Sequence, residues 1–237
     1  MSDTEIDRLF VAGRFDDAAD RLRNGYKSEG EDEGKDSLLY LLDLGLALHY
    51  AGKDEEAIKV FRHADTVAEI KDYTSIAAEV GTLLTSDNIK SYKAEDFENV
   101  LISVYLAICY ATTGQTEDAI VEARRVNRKL ELMVSEGGRK YAQNPFARYL
   151  SAALYESDRE WNSAYIDYKK TRELAPDFSR VGVDLFRTAH ALRMGDEASR
   201  WETEFHISPE EKQATRHALS REGGSEIVVI FENGISP

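Results

Sequence analysis

Cysteine, proline and positive charge are all scarce in this chain, and each shortage removes a class of protein. The 237 residues hold one cysteine. That residue, Cys109, cannot close an internal disulfide, and its place in the apolar run VLISVYLAICYA makes it a small buried hydrophobe. The cysteine count therefore leaves the compartment open. Only four prolines interrupt a sequence rich in Ala, Leu, Glu, Lys and Arg, which favours helix. No stretch reaches the roughly 18 apolar residues that span a bilayer, and the opening MSDTEIDRLF lacks the basic and apolar regions of a signal peptide. Direct membrane insertion is not expected of this chain. Against 44 acidic residues stand 30 basic ones, a formal charge of −14, so the averaged field repels phosphate backbones and anionic lipid surfaces. Nucleic acid is not an expected partner. The one basic cluster, Arg124, Arg125, Arg128 and Lys129, lies between Glu122 and Glu131 and reads as a solvated helix face.

Chemical motifs are missing as well. The segment GEDEGKD at 30–36 is one residue short of a phosphate loop, ends in Asp36 where magnesium needs a hydroxyl, and carries carboxylates that repel phosphate. No GxSxG elbow surrounds a serine, and Cys109 sits mid-helix with no base near it in sequence. His49, His63, His190, His206 and His217 show neither an HExxH pattern nor paired metal-ligand spacing, so surface or groove-edge positions are expected. The sequence predicts no catalytic residue, no metal site, no cofactor and no enzyme.

What is present is repetition. In GLALHYAGKDEEAIKVFRHAD, residues 45–65, the residues Gly45, Leu48 and Ala51 share one helical face. Gly52 then breaks the helix, and Asp54 is placed to cap a second one with the apolar face Ala57, Ile58 and Phe61. Gly45 against Ala57 is expected to let the two backbones approach. The full skeleton is Leu41, Leu44, Gly45, Leu48, Ala57, Phe61 and Ala64. A second copy runs Leu106, Ala107, Tyr110, Ala119, Ala123, Val126, and a third runs Ala152, Tyr155, Ala164, Tyr168, Thr171, closed by Pro176. A weaker first copy is Ile6, Leu9, Ala18, Leu22 and Gly25, with Gly13 at the break as Gly52 and Gly114 are in theirs.

These positions resemble the tetratricopeptide repeat (TPR), a helix pair of about 34 residues. The likeness spans about residues 4–177, with departures: no copy has the leading tryptophan, the glycine is Ala107 and Ala152 in two copies, and only the last keeps the proline. The expected fold is all-α, a TPR-like helical-hairpin solenoid with an inserted extra helix and a short C-terminal β segment. Repeats fall near 4–25, 38–65, 99–130 and 144–177, with an irregular capping pair at 180–206, all within an array over 1–206. Between Ala18, Ala57, Ala119 and Ala164 the intervals are 39, 62 and 45 residues, so each exceeds the period. NGYKSEGEDEGKD and SEGGRKYAQNP account for the outer two as loops. The middle excess carries Val67, Ile70, Tyr73, Ile76, Ala77, Val80, Leu83 and Leu84 at helical spacing, which predicts an extra helix over 66–84, or an extension of the preceding helix followed by one.

In TPR arrays the first helices line a concave groove, so the resemblance turns a second apolar stripe inward. It comprises Leu39, Leu42, Leu46 and Tyr50, then Leu101, Val104, Tyr105 and Ile108, with Phe146 and Tyr149 on the fourth copy. These are the expected partner-binding residues. The occupant is either helix 66–84 or a helix of another protein. The Lys, Asn and Arg clamp by which chaperone adaptors of this superfamily hold a terminal carboxylate is absent, because its positions read Leu39, Leu42, Asp43 and Leu46.

Residues 207–237 are expected to form a helix and a β tail. Ser208, Pro209 and Glu211 make a helix start with a capping box, opening a helix to about residue 221. GSEIVVIFENGISP then reads as the beginning of a longer β region.

Residues 83–127 resemble a family of bacterial TPR proteins commonly predicted to be envelope lipoproteins, through Leu84-Thr85, Phe97-Glu98 and the series Glu122-Ala123-Arg124-Arg125 before Asn127. The resemblance implies a periplasmic or outer-membrane-associated scaffold, with the cytoplasm as alternative. Glu98, Arg124 and Asn127 are its polar members and are expected to fix packing register, with a binding site as the alternative. The reading as a whole is a non-enzymatic scaffold that binds another protein or peptide. A homo-oligomeric structural subunit and a ligand-sensing TPR regulator are the alternatives.

Overall fold

The computed structural model describes residues 3–29, 31–81, 96–137, 144–220 and 228–231. Among them are eleven α-helices and no strand. In chain order they are α1 (Asp3–Val11), α2 (Phe15–Glu29), α3 (Ser37–Tyr50), α4 (Asp54–Gly81), α5 (Asp96–Thr112), α6 (Thr116–Gly137), α7 (Pro145–Ser157), α8 (Trp161–Leu174), α9 (Val181–Ala191), α10 (Gly195–Phe205) and α11 (Pro209–Ser220). They fall into two compact units, Met1–Leu154 and Tyr155–Pro237.

The helices are joined as hairpins by one recurring turn. At the end of α3 the Gly52 amide donates to the His49 carbonyl and the Lys53 amide to the Leu48 carbonyl. That pair of bonds is a Schellman closure, which needs a left-handed residue just past the helix end. Gly13, Gly52 and Gly114 fill the position with φ of 67°, 71° and 76°, and Arg159 and Arg193 fill it with 60° and 59°. The same two bonds recur at each of the five turns. The sequence shows three of these turns through their glycines and hides two behind arginine.

Each hairpin's second helix buries one alanine at the same register. Ala18, Ala57, Ala119 and Ala164 are fully buried, and Ala198 nearly so. From Ala164 to Ala198 is 34 residues, so α9 and α10 fall on the TPR period. Close packing also depends on two glycines of first helices. A methyl group built on Gly45 would lie inside the Phe61 ring, and one on Gly182 inside the Phe205 ring. The approach expected at Gly45 is thus made by the Phe61 ring, not by Ala57 alone, because the glycine leaves a socket wide enough for an aromatic edge.

Two further expectations are corrected. Of the two forms expected for this segment, residues 66–81 take the extension and not a separate inserted helix: α4 runs unbroken for 28 residues from Asp54 to Gly81. Nothing between Ala64 and Val67 can stop it, since the segment ADTV has neither glycine nor proline. Val67 and Ala68 are buried and Ile70 is exposed. The filling of the groove by 66–84 rests on side chains beyond Ile70 and on 82–84, which lie outside the described residues. In the tail, Val228–Phe231 lie in no strand. A strand exists only through ladder hydrogen bonds to a neighbour, and none of the described residues supplies one. The remainder of the expected β segment, 224–227 and 232–237, lies outside the described residues.

Candidate functional site

The expected docking stripe begins on α3 and continues on α5 and α7. Leu39, Leu42, Leu46 and Tyr50 are half-buried, as are Leu101, Tyr105 and Tyr149, and Phe146 is exposed. Val104 and Ile108 are buried and belong to the core of the first unit. Tyr50 meets Phe10 edge-on at 6.1 Å between ring centroids and Phe15 at 5.3 Å, so it ties α3 to the first hairpin. Tyr105 stacks on Phe61 at 5.6 Å with the planes 12° apart, tying α5 to α4. These two tyrosines are contact points between hairpins as well as stripe members. Of the other stripe members, Leu39, Leu42, Leu46 and Leu101 are half-buried and Phe146 is exposed.

Glu98 and Asn127 are half-buried and Arg124 is exposed. The buried charge lies next to them. Arg125 pairs with Asp65 and with Glu122 at 3.0 Å, and Lys129 reaches Asp65 at 3.2 Å, the Asn99 carbonyl at 2.8 Å and Ser103 Oγ at 3.0 Å. Burial pushes the Lys129 ammonium below its ordinary value despite the Asp65 carboxylate beside it, and pushes the Glu122 carboxyl up despite Arg125. Half of the basic cluster read as a solvated face is therefore turned inward. Arg125 and Lys129 join α6 to α4 and α5, while Arg124 and Arg128 stay exposed. The helical period offers the reason: 125 and 129 are one turn apart on the side that carries the buried Glu122.

A second polar cluster was not legible in the sequence. His49 in the last turn of α3, Asp54 at the start of α4 and Cys109 on α5 bring their ligand atoms within 4.8 Å of one another. His49 Nδ1 lies 2.6 Å from Asp54 Oδ1 and 3.6 Å from Cys109 Sγ. Thr112 Oγ1 donates to Asp54 Oδ2 at 2.7 Å. The His49 ring is flanked by Tyr50 at 5.6 Å and Tyr105 at 5.7 Å. Burial works to raise the Asp54 carboxyl, but hydrogen bonds from His49 and Thr112 outweigh it and hold the group below its ordinary value. Burial pushes the Cys109 thiol up. The Schellman turn at Gly52 is what sets His49 and Asp54 face to face, and the next hairpin delivers Cys109 and Thr112. Sixty residues separate His49 from Cys109, so no local spacing announces the group.

No family model matches the chain, and no curated protein sequence matches it. Solved structures do. The crystal structure of MamA superposes with a TM-score of 0.58 at 16% identity, covering 90% of this chain and 96% of that one. TPR-like repeats of a Podosopora anserina kinesin light chain protein superpose with a TM-score of 0.56 at 13% identity, covering 92% and 95%. BtubC (BKLC) from P. vanneervenii gives 0.58 at 13% identity, covering 96% and 85%. At such identities the likeness shows the fold alone: the chain is a TPR-like helical-repeat protein. No described helix is long and apolar enough to cross a membrane.

Proposed function

We propose that this chain is a non-enzymatic protein-interaction scaffold. The reading is carried by the stripe Leu39, Leu42, Leu46, Leu101 and Phe146, half-buried or exposed, on a frame whose buried charges are consumed in packing. Helical hairpins of this kind are stabilised by their neighbours, so they present a surface already ordered before a partner arrives, which lowers the entropic cost of docking. The partner surface that fits the stripe is apolar, in keeping with an amphipathic helix. The envelope setting comes from the resemblance of residues 83–127 and is part of the proposal.

The test is crosslinking capture in the source cell with the wild-type chain and with a Leu39→Asp/Leu42→Asp double variant. Both leucines are half-buried, so circular dichroism must first show that the variant keeps its helices. A partner captured by the wild type and lost from the folded variant supports the stripe. A partner retained by both places docking elsewhere. Cell fractionation checks the setting, and a purely cytosolic chain removes it.

A second reading, a homo-oligomeric subunit, is favoured by one observation. Val228, Val229 and Phe231 are exposed, the last two at 82% and 83%, and an unsheltered apolar segment of this kind invites strand pairing between copies. Solution mass across a dilution series, with and without residues 226–237, separates a subunit of an assembly from a monomeric scaffold.

A further inference from the structure

His49, Asp54 and Cys109 come from three helices and two hairpins, and their chemistry matches one class of ligand. A thiolate, an imidazole and a carboxylate are the donor set of zinc, a borderline-soft ion with tetrahedral preference. Distances support the match. With Zn–S of about 2.3 Å and Zn–N of about 2.0–2.1 Å, tetrahedral geometry places sulfur and nitrogen about 3.6 Å apart. Cys109 Sγ and His49 Nδ1 are 3.6 Å apart. The corresponding nitrogen–oxygen separation is about 3.3 Å, against 2.6 Å between His49 Nδ1 and Asp54 Oδ1. That shorter gap is the length of a hydrogen bond, so replacing its proton with an ion requires the carboxylate to retreat by roughly 0.7 Å.

The arrangement of donors points the same way. His49 Nδ1 faces both Asp54 and Cys109, and the three ligand atoms all lie within 4.8 Å of one another. A metal ion at that point contacts all three groups at once. Thr112, hydrogen-bonded to the second carboxylate oxygen, is placed as the outer partner that orients a ligating carboxylate. Access comes from the His49 and Asp54 side, where the side chains keep 12% and 17% exposure, while Cys109 is fully buried behind them.

We propose that His49, Asp54 and Cys109 form a zinc site, completed by a water molecule, that clamps the second hairpin to the third. His49 binds through Nδ1, Asp54 through one carboxylate oxygen and Cys109 through its sulfur. On binding, the Cys109 thiol proton passes to solvent, and a neutral His49 carries its remaining proton on Nε2. The clamp supplements the Tyr105–Phe61 stack in setting how α5 lies on α3 and α4.

The test is titration of the chelator-treated full chain with cobalt(II), followed by absorption. The expected result is a sulfur-to-cobalt charge-transfer band with the intense visible bands of a tetrahedral site, saturating at one equivalent and bleached by zinc(II). Cys109→Ser removes the charge-transfer band while circular dichroism still reports the helices. Thr112→Val, which leaves all three ligands in place, lowers zinc affinity about 10- to 100-fold. Only weak octahedral cobalt bands in the wild-type chain overturn the proposal and leave a hydrogen-bonded cluster. So does a wild-type spectrum unchanged in Cys109→Ser, because binding then occurs elsewhere. Either outcome leaves the scaffold reading standing, since that reading is tested by partner capture.

Discussion

Arg159 and Arg193 occupy left-handed positions that glycine fills in the other three hairpin turns, with φ near 60° in each case. An L-residue is strained there by its own Cβ. Arg159→Gly and Arg193→Gly are each expected to stabilise the protein by about 0.5–1 kcal/mol, the strain relieved outweighing the extra freedom of the unfolded chain. Denaturant titration of each variant checks this. The reverse change, Gly52→Ala, meets no atom within 4 Å, so its expected loss of about 1 kcal/mol is purely conformational. Tyr165 titrates at alkaline pH. It is buried and its hydroxyl donates to Glu197 at 2.5 Å, which together push its pKa from 10.0 up to about 12. The folded state therefore holds this proton where the unfolded state has lost it. Its contribution is fully present below pH 10.0 and declines as pH rises toward about 12. In Tyr165→Phe that alkaline decline is expected to shrink, on a baseline lowered because Trp201 Nε1 loses its acceptor.

Helix pairs are held by shape first and by buried charge second. Gly45 is the clearest case of shape, since the Phe61 ring occupies the space of its missing side chain. Gly45→Ala is expected to cost about 1–3 kcal/mol as α3 and α4 are forced apart, a loss that thermal unfolding measures directly. The second unit adds a cluster of buried charge. Arg187 on α9 holds Glu156 at 2.5 and 2.8 Å and Asp184 at 2.8 Å, and the Tyr168 hydroxyl donates to Glu156 at 2.7 Å. All four side chains are buried. Arg187→Ala leaves two carboxylates without their cation, and an expected loss of about 3–5 kcal/mol follows. A Glu156→Gln/Asp184→Asn background is expected to recover part of it, because the stranded charge is then gone.

Charge also governs behaviour at the scale of the whole molecule. A formal charge of −14 makes copies repel one another at neutral pH and vanishes near the calculated isoelectric point of 4.9. Solubility is expected to pass through a minimum there, and light scattering between pH 4 and 7 reads it. At neutral pH the same field opposes nucleic acid and favours partner surfaces that are neutral or basic around an apolar centre. On the proposed scaffold reading, frame and surface have separate tasks: buried ion pairs and ring stacks hold the hairpins, and the outer leucines and Phe146 are the surface proposed for contact.

The amino-acid sequence by itself determined the hairpins. Small residues at Gly45, Ala57, Ala119 and Ala164, helix stops at Gly13, Gly52 and Gly114, and the capping box are all local signals. In the last of these the Ser208 amide donates to Glu211 Oε2 at 2.8 Å and the Glu211 amide to Ser208 Oγ at 3.1 Å. Local backbone and period-3.6 sterics suffice to write them. Tertiary structure alone decided the rest. Arg159 and Arg193 close turns with no glycine to mark them, and Arg125 and Lys129 turn inward to Asp65. His49, Asp54 and Cys109 meet only because stacked hairpins bring distant turns together. Such contacts depend on the angle and register at which one hairpin lies on the next, and that is set by many side chains far apart along the chain.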